Sequence, residues 1–388
     1  MKVLMINSVC GFGSTGRICT DLASVLMQNG HEVKIAYGRG KTPDKFKENS
    51  YRIGNNFIVN LNALKARLLD NEGFGAKRAT QKFLKWADEY NPDIIHLHNL
   101  HGYYINVKLL FDWIKSRPNM KVLWTLHDCW AFTGHCSHFD YVGCDKYKIL
   151  CYACEQKCEY PKSLFFDKSK HNYLRKKSAF TSVKNLTIIT PSKWLKEKVE
   201  CSFLKEYKTV VINNGIDLTV FKPTKSDFKE KYGLQDKKII LGVASVWGKR
   251  KGFNDFVELS KIIPNEYKIV MVGLSKQQLR KLPKNILGIN RTASVKELAE
   301  IYSASDVFFN PTYEDNYPTV NLEAQACGLP VITYRTGGSV ESVPNKNILE
   351  KGDYNGFLQK LGEDFEVLEI KQGKNEVTQE YMCFYTGE

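Results

Sequence analysis

Asp315 and Glu323 bracket the run Asn316-Tyr317-Pro318-Thr319-Val320-Asn321-Leu322, so that seven residues separate two carboxylates. The apolar residues Val307–Asn310 before this run read as a strand, Val320–Cys327 reads as a helix, and Gly328-Leu329-Pro330-Val331-Ile332 leads into the next strand. A helix amino terminus presents backbone N–H groups and a partial positive charge, which together suit a diphosphate. A carboxylate about two turns into the helix, here Glu323, can accept hydrogen bonds from ribose hydroxyls, and one in the loop, here Asp315, can orient the hydroxyls of a sugar. The plain alternative is a capped helix with solvated acids.

Three further groups of residues could do chemistry. Gly11, Gly13 and Gly16 link a first strand to a helix with the letter of a dinucleotide fingerprint. No acidic residue ends the second strand near Tyr37-Gly38-Arg39, which argues against a nicotinamide cofactor. His127 ends the strand Val122–Leu126, and His96, His98, Asn99 and His101 crowd another strand end. These side chains either shape an acceptor site, serve as structural hydrogen-bonders, or hold a metal. From Asp128 to Pro161 the chain has six cysteines and no clear period. Cys151 and Cys154 have zinc-ligand spacing, and Cys136 and Cys144 complete four thiolates. The alternative is a loop packed with reduced cysteines.

The elements that must position these groups alternate. Strand candidates in the first half are Val3–Asn7, Val33–Tyr37, Ile94–His98, Val122–Leu126, Leu186–Thr190 and Val210–Asn213. Ile18, Leu22, Val25 and Leu26 recur at helical spacing after the first strand, and Phe83, Leu84 and Ala87 before Asn91. After the stretch Gly215–Pro223 the pattern restarts with strands Ile239–Ala244, Lys268–Val272, Val307–Asn310 and Val331–Thr333, and with helices Phe253–Ile263 and Val295–Ser303 between them. Alternation of this kind is the mark of parallel α/β units, which bind ligands at the carboxyl ends of their strands. A chain of 388 residues exceeds what one core usually holds, so two domains are expected. No run of 18 apolar residues occurs, and Met1–Asn7 is too short for a signal peptide, so the reading is cytoplasmic. Eleven cysteines in such a compartment are first tested as metal ligands. A net charge of +14 suits phosphorylated substrates, an anionic membrane or nucleic acid. The basic stretch Lys168, Lys170, Arg175, Lys176, Lys177, Lys193, Lys196 and Lys198 is either a solvated face or a membrane contact.

The segment Asn310–Ala324 with its Gly-x-Pro turn resembles the acidic donor motif of the retaining glycosyltransferases of family four (glycosyltransferases group 1). The family has two glutamates at this spacing; here Asp315 stands at the first position, or Glu314 serves there with a shifted loop. Asn213-Asn214-Gly215-Ile216-Asp217 followed by Phe221 resembles the family's hinge, and Gly11–Arg17 its glycine-rich loop. Val246-Trp247-Gly248-Lys249-Arg250-Lys251-Gly252 resembles its basic pair, with Lys251 matching the lysine. Val246 stands where the arginine belongs, and Arg250 is the substitute. His127-Asp128-Cys129-Trp130-Ala131-Phe132-Thr133-Gly134-His135-Cys136 is similar to a stretch of exopolysaccharide and capsule transferases of the colanic-acid type.

The resemblance implies a GT-B fold, two Rossmann-like domains facing across a cleft. Residues 1–220 would bind the acceptor and carry the insertion 128–161. Residues 221–370 would bind the nucleotide sugar, and a tail, 371–388, would cross back onto the first domain. It further implies transfer of a sugar, with anomeric retention, to a glycan or lipid-linked oligosaccharide in cell-surface polysaccharide synthesis, at the inner face of the membrane. In that reading His127 and Asp315 position the sugar, Arg250 and Lys251 stabilise the diphosphate, and the donor's own phosphate oxygen assists the acceptor hydroxyl. Gly13, Gly16, Asn214, Asn316, Tyr317, Pro318, Thr319, Val320 and Glu323 line the donor. No metal is required for catalysis, and zinc at the cysteines would be structural. The rival readings are a nucleotide-sugar epimerase of the same fold and a zinc-containing nucleic-acid binder; no nucleic acid is expected as a partner of a transferase.

Overall fold

The computed structural model describes residues 1–363 and 365–386, and divides into two compact units. The first unit holds Met1–Asn214 and the stretch from Asn375 on; the second holds Gly215–Lys374. Residue 220, the expected boundary, thus lies inside the second unit.

The first unit is built on a seven-stranded parallel sheet in the order β3-β2-β1-β4-β5-β6-β7. Its strands are β1 Lys2–Val9, β2 Glu32–Arg39, β3 Ser50–Arg52, β4 Ile94–Leu97, β5 Lys121–Thr125, β6 Leu186–Thr190 and β7 Lys208–Val211. The second unit has a six-stranded sheet in the order β10-β9-β8-β11-β12-β13. Here the strands are β8 Lys238–Val243, β9 Tyr267–Val272, β10 Ile286–Ile289, β11 Val307–Asn310, β12 Val331–Tyr334 and β13 Ile348–Leu349.

Successive side chains of a strand point to opposite faces, and both faces of these sheets are covered. Leu4, Ile6, Ile95 and Trp124 therefore join one core while Val3, Met5, Ile94 and Leu123 join another. In the second unit Ile239, Leu241 and Val270 pack on one face and Ile240, Ile269 and Met271 on the other. Burial on both faces explains why the strands read as continuous apolar runs. Chain order reverses between β1 and β4 in one sheet and between β8 and β11 in the other. The loops that leave the carboxyl ends of those four strands are where an open α/β sheet receives a ligand.

The strands not anticipated, β3, β10 and β13, all lie at sheet margins and have two to four residues. The helix expected at Val320–Cys327 runs Thr319–Ala326, and the one expected at Phe253–Ile263 stops at Leu259. The insertion has no strand among the described residues; it folds on aromatic rings, with Phe139 stacked on Tyr147 at 4.5 Å and Phe132 tilted against Tyr147 at 5.5 Å. The tail forms the helix Lys374–Thr386, whose Val377, Tyr381 and Tyr385 enter the same core as Ile94 and Leu123. Gly387 and Glu388, the last two residues of the expected tail, lie outside the described residues.

Candidate donor site and the histidine cluster

In the second unit the loop after β8 carries Arg250 and Lys251, and the loop after β11 carries Glu314 and Asp315. The two loops are bonded together. The Arg250 guanidinium donates to the Glu314 carbonyl at 2.8 Å, and the Tyr313 N–H donates to the Arg250 carbonyl at 2.8 Å. Lys251 forms an ion pair with Asp315. Burial pushes the Lys251 ammonium below its ordinary value, while Asp315 works the other way. Gly252 makes this approach possible: its φ is +71°, and a Cβ there would lie 2.3 Å from the Pro311 carbonyl oxygen. Asp315 thus meets Lys251, while Arg250 is held by the Glu314 carbonyl; Glu314 is buried and Val246 exposed.

From Asp315 the chain runs through Asn316, which is buried, and Tyr317 to the helix Thr319–Ala326. Pro318 at the N-cap supplies no side-chain hydrogen bond to the first turn. Thr319 and Val320 form that turn, and the backbone N–H groups there, with the helix dipole, are suited to an anion. Glu323 is 2% exposed and its Oε2 accepts from the Tyr302 hydroxyl at 3.2 Å, which fixes the carboxylate. Asn321 anchors the helix, bonding Asn310 at 2.8 Å and Ser342 at 2.9 Å. Burial and Glu341 push the Tyr317 hydroxyl up to about 12.

Asp255 escaped the reading of the sequence. It lies under the acidic loop and accepts from Tyr313 at 3.0 Å and Tyr334 at 2.7 Å. Burial raises its carboxyl above the ordinary range although the tyrosines favour the charge. Nothing in its spacing sets it apart from a solvated helix residue, and the same holds for Tyr302.

In the first unit, the glycine-rich loop after β1 and the loop after β4 meet through Asn7. Its side chain donates to the Thr15 carbonyl at 3.2 Å and accepts from the Asn99 N–H at 3.2 Å. Gly13 opens the helix Gly13–Gln28, and Gly16 returns its carbonyl to the Gly11 N–H at 3.1 Å. His127 stands just past β5, with Nε2 3.1 Å from His98 Nδ1. His96 is held between Tyr385 at 2.5 Å and Thr125 at 2.8 Å, so the tail helix backs this cluster. Burial holds His127 down to about 4 and His96 to about 3, so both are neutral near pH 7. His101 bridges Asp128 and Tyr160, at 2.8 Å to each. Asn214 ends the long segment of this unit.

The structure thus groups Arg250, Lys251, Asp315 and the run Asn316–Glu323 in one unit, and Gly13, Gly16 and His127 in the other.

The Cys136 and Cys154 thiols are hydrogen-bonded to one another, Cys151 lies close enough to both to interact through charge, and Cys144 interacts in the same way with Cys151. Among the described residues no three His, Cys, Asp or Glu side chains are arranged to hold a metal ion. Cys151 accepts from the Gly134 N–H. The Cys136 contact pulls the Cys154 thiol down to about 7, while burial pushes Cys151 up to about 11. The basic stretch is also not uniformly solvated. Lys176 is buried, donates to the Trp130 carbonyl at 2.7 Å and lies over the Trp130 ring; Arg175 lies over Phe74.

Residues 15–220 match the family described as Glycosyltransferase Family 4, and residues 237–363 match Glycosyl transferases group 1. A protein of Escherichia coli K12 named as a colanic acid biosynthesis glycosyl transferase is 24% identical over 88% of this chain and 85% of its own length. A capsular polysaccharide biosynthesis glycosyltransferase of Staphylococcus aureus is 28% identical over 49% of this chain; that match spans about half, 54%, of the relative. The fold is that of sucrose-phosphate synthase from Thermosynechococcus elongatus, with a TM-score of 0.69 at 18% identity, covering 100% of this chain and 97% of that one. Two domain matches, a relative aligned along most of both chains and the paired parallel sheets make this chain a glycosyltransferase of family 4 with the GT-B fold.

Proposed function

We propose that the enzyme transfers a sugar, with retention at the anomeric carbon, from a nucleotide sugar to a glycan or lipid-linked oligosaccharide in the synthesis of a cell-surface polysaccharide. The observation that carries this reading is the bonding of the Arg250–Lys251 turn to the loop Glu314–Asp315, which leads straight into an N-terminal helix turn with no side-chain cap. Two cations and a helix start beyond the carboxyl ends of the adjacent strands β8 and β11 form a diphosphate site. Charge that builds on the departing diphosphate is met by fixed cations, the kind of preorganised stabilisation that lowers a barrier most. Glu323, fixed by Tyr302, takes the ribose hydroxyls. Asp315 orients the sugar, and His127, neutral and held by His98, serves the transferred sugar as a hydrogen-bonding group rather than as an acid. The first unit takes the acceptor and the second the donor. In this mechanism the donor phosphate assists the acceptor hydroxyl and no metal takes part.

The names of the relatives support the biological setting, and two further ones act on diphosphoundecaprenol-linked sugars. A lipid-linked acceptor brings the enzyme to the inner face of the cell membrane, and the exposed lysines of the stretch from Lys168 to Lys198 suit its anionic surface. The direct test is nucleotide binding by Glu323→Ala, measured by calorimetry on folded protein. Nucleoside diphosphate affinity is expected to fall about tenfold or more, from lost charge-assisted hydrogen bonds. Unchanged affinity would remove Glu323 from the donor site.

A further inference from the structure

The helix Asn56–Leu69 buries Val59 and Ala66 but leaves a second apolar stripe uncovered. Phe57, Leu61, Leu64 and Leu68 recur at helical spacing and are 73%, 39%, 52% and 36% exposed, and Leu69 beside them is 40% exposed. A turn of the chain far away in sequence extends the stripe. The Leu164 N–H donates to the Arg67 carbonyl at 2.7 Å, and Leu164, Phe165 and Phe166 are 49%, 67% and 54% exposed. Ser163 Oγ bonds the Phe166 carbonyl at 2.6 Å, so the turn is held in shape. A monomeric protein rarely leaves this many neighbouring large apolar side chains in water.

The charges around the stripe are mostly basic. The helix contains Lys65 and Arg67, both exposed, and no acid. The turn is flanked by Lys162, Lys168 and Lys170, with the Lys168 ammonium 5.8 Å above the Phe166 ring. Asp167 is the only carboxylate from residue 161 to 180, and its oxygens accept from Cys154 N–H at 2.6 Å and Ser169 N–H at 2.8 Å. A second copy of so basic a face would be repelled, since the one carboxylate of the turn, Asp167, is engaged by backbone N–H groups of its own chain. An apolar stripe bordered by lysine and arginine suits the boundary between headgroups and acyl chains of an anionic bilayer.

We propose that the helix Asn56–Leu69 and the turn Leu164–Phe166 together form a membrane-docking face that inserts its apolar side chains into an anionic lipid bilayer. This inference rests on the reading of the enzyme as one that serves a lipid-linked acceptor. It adds an apolar, salt-resistant contribution to the electrostatic contact of the lysines.

Co-sedimentation of the full chain with vesicles of phosphatidylcholine, and of phosphatidylcholine mixed with phosphatidylglycerol, tests it. The wild type is expected on the phosphatidylglycerol vesicles, with part of the binding surviving high salt. The triple variant Leu164→Ser, Phe165→Ser, Phe166→Ser should bind at least about tenfold more weakly and lose the salt-resistant fraction. Leu61→Gln with Leu64→Gln on the helix should do the same, so a folding fault in one variant leaves the other to decide. Both should keep wild-type nucleoside diphosphate affinity. Variants that bind vesicles like the wild type, or wild-type binding abolished by salt, would overturn insertion while leaving the transferase reading in place. So would a wild type found as a dimer that these substitutions dissociate. Vesicle binding as expected without any nucleoside diphosphate affinity would support docking and count against the donor site instead.

Discussion

His127 is surrounded so that it stays neutral. Burial disfavours its charge more than Asp128 favours it, and His98 sits at 3.1 Å as a hydrogen-bond partner. With the ring held near 4, it does not titrate across the range in which such an enzyme works. The pH–rate profile should therefore show no ionisation of His127 between about pH 5 and 8, because the ordinary value of a histidine has been moved below that window. His127→Ala should lower kcat by roughly 10–100-fold, the cost of one or two neutral hydrogen bonds, with nucleoside diphosphate affinity unchanged. Steady-state kinetics alongside calorimetry separate the two readouts. Full activity in His127→Ala would make the residue a structural one. At this scale the spacing of Asp315 and Glu323 and the position of His127 at a strand end were legible in the sequence, while the basic pair came from the resemblance. Asp255 and Tyr302 stayed invisible, because their importance comes from partners at distant positions that only folding brings near.

The loop after β8 depends on a glycine that no larger residue can replace without strain. Gly252 combines a left-handed backbone with a Cβ direction blocked by the Pro311 carbonyl. Gly252→Ala should cost roughly 2–4 kcal/mol, from strain at positive φ plus overpacking. Denaturant unfolding should register it as a lower midpoint. A midpoint like that of the wild type would mean that the two loops part easily. The insertion makes a different prediction. Among the described residues no three side chains there are arranged to hold a metal ion, and the loop is filled by Phe132, Phe139 and Tyr147. Elemental analysis should find zinc well below one equivalent per chain, with the cysteines titrating as reduced thiols. One full equivalent would show that the four thiols close around an ion. Long apolar strands and periodic helices were legible. The marginal strands Ser50–Arg52 and Ile348–Leu349 were not, since a short strand at a sheet edge has too few apolar residues to announce itself.

Across the whole molecule, three buried histidines in one unit tie stability to pH. His96, His98 and His127 are all held below their ordinary value of 6.5, chiefly by burial. The unfolded chain takes up protons near that value while the folded one does not. The stability they contribute is therefore complete above about pH 6.5 and declines as the pH falls toward 4 and 3. Thermal melting followed from pH 7 to 4 should show a steady loss, smaller in His96→Asn with His127→Asn. An unchanged melting point over that range would mean that the cluster is hydrated. Two α/β domains were legible from the restart of the strand pattern after Pro223. The return of the tail could be expected only from resemblance, because its charged sequence gives little sign of a partner. That return has a consequence in time. Tyr385 and Tyr381, which hold His96 and Thr125, are translated only after the entire second unit, Gly215–Lys374. At ~5–20 residues per second the ribosome leaves the first sheet without its closing helix for roughly ten seconds or longer. During synthesis the first sheet must wait, with the core that Val377, Tyr381 and Tyr385 complete still open, for a helix that follows the whole second unit.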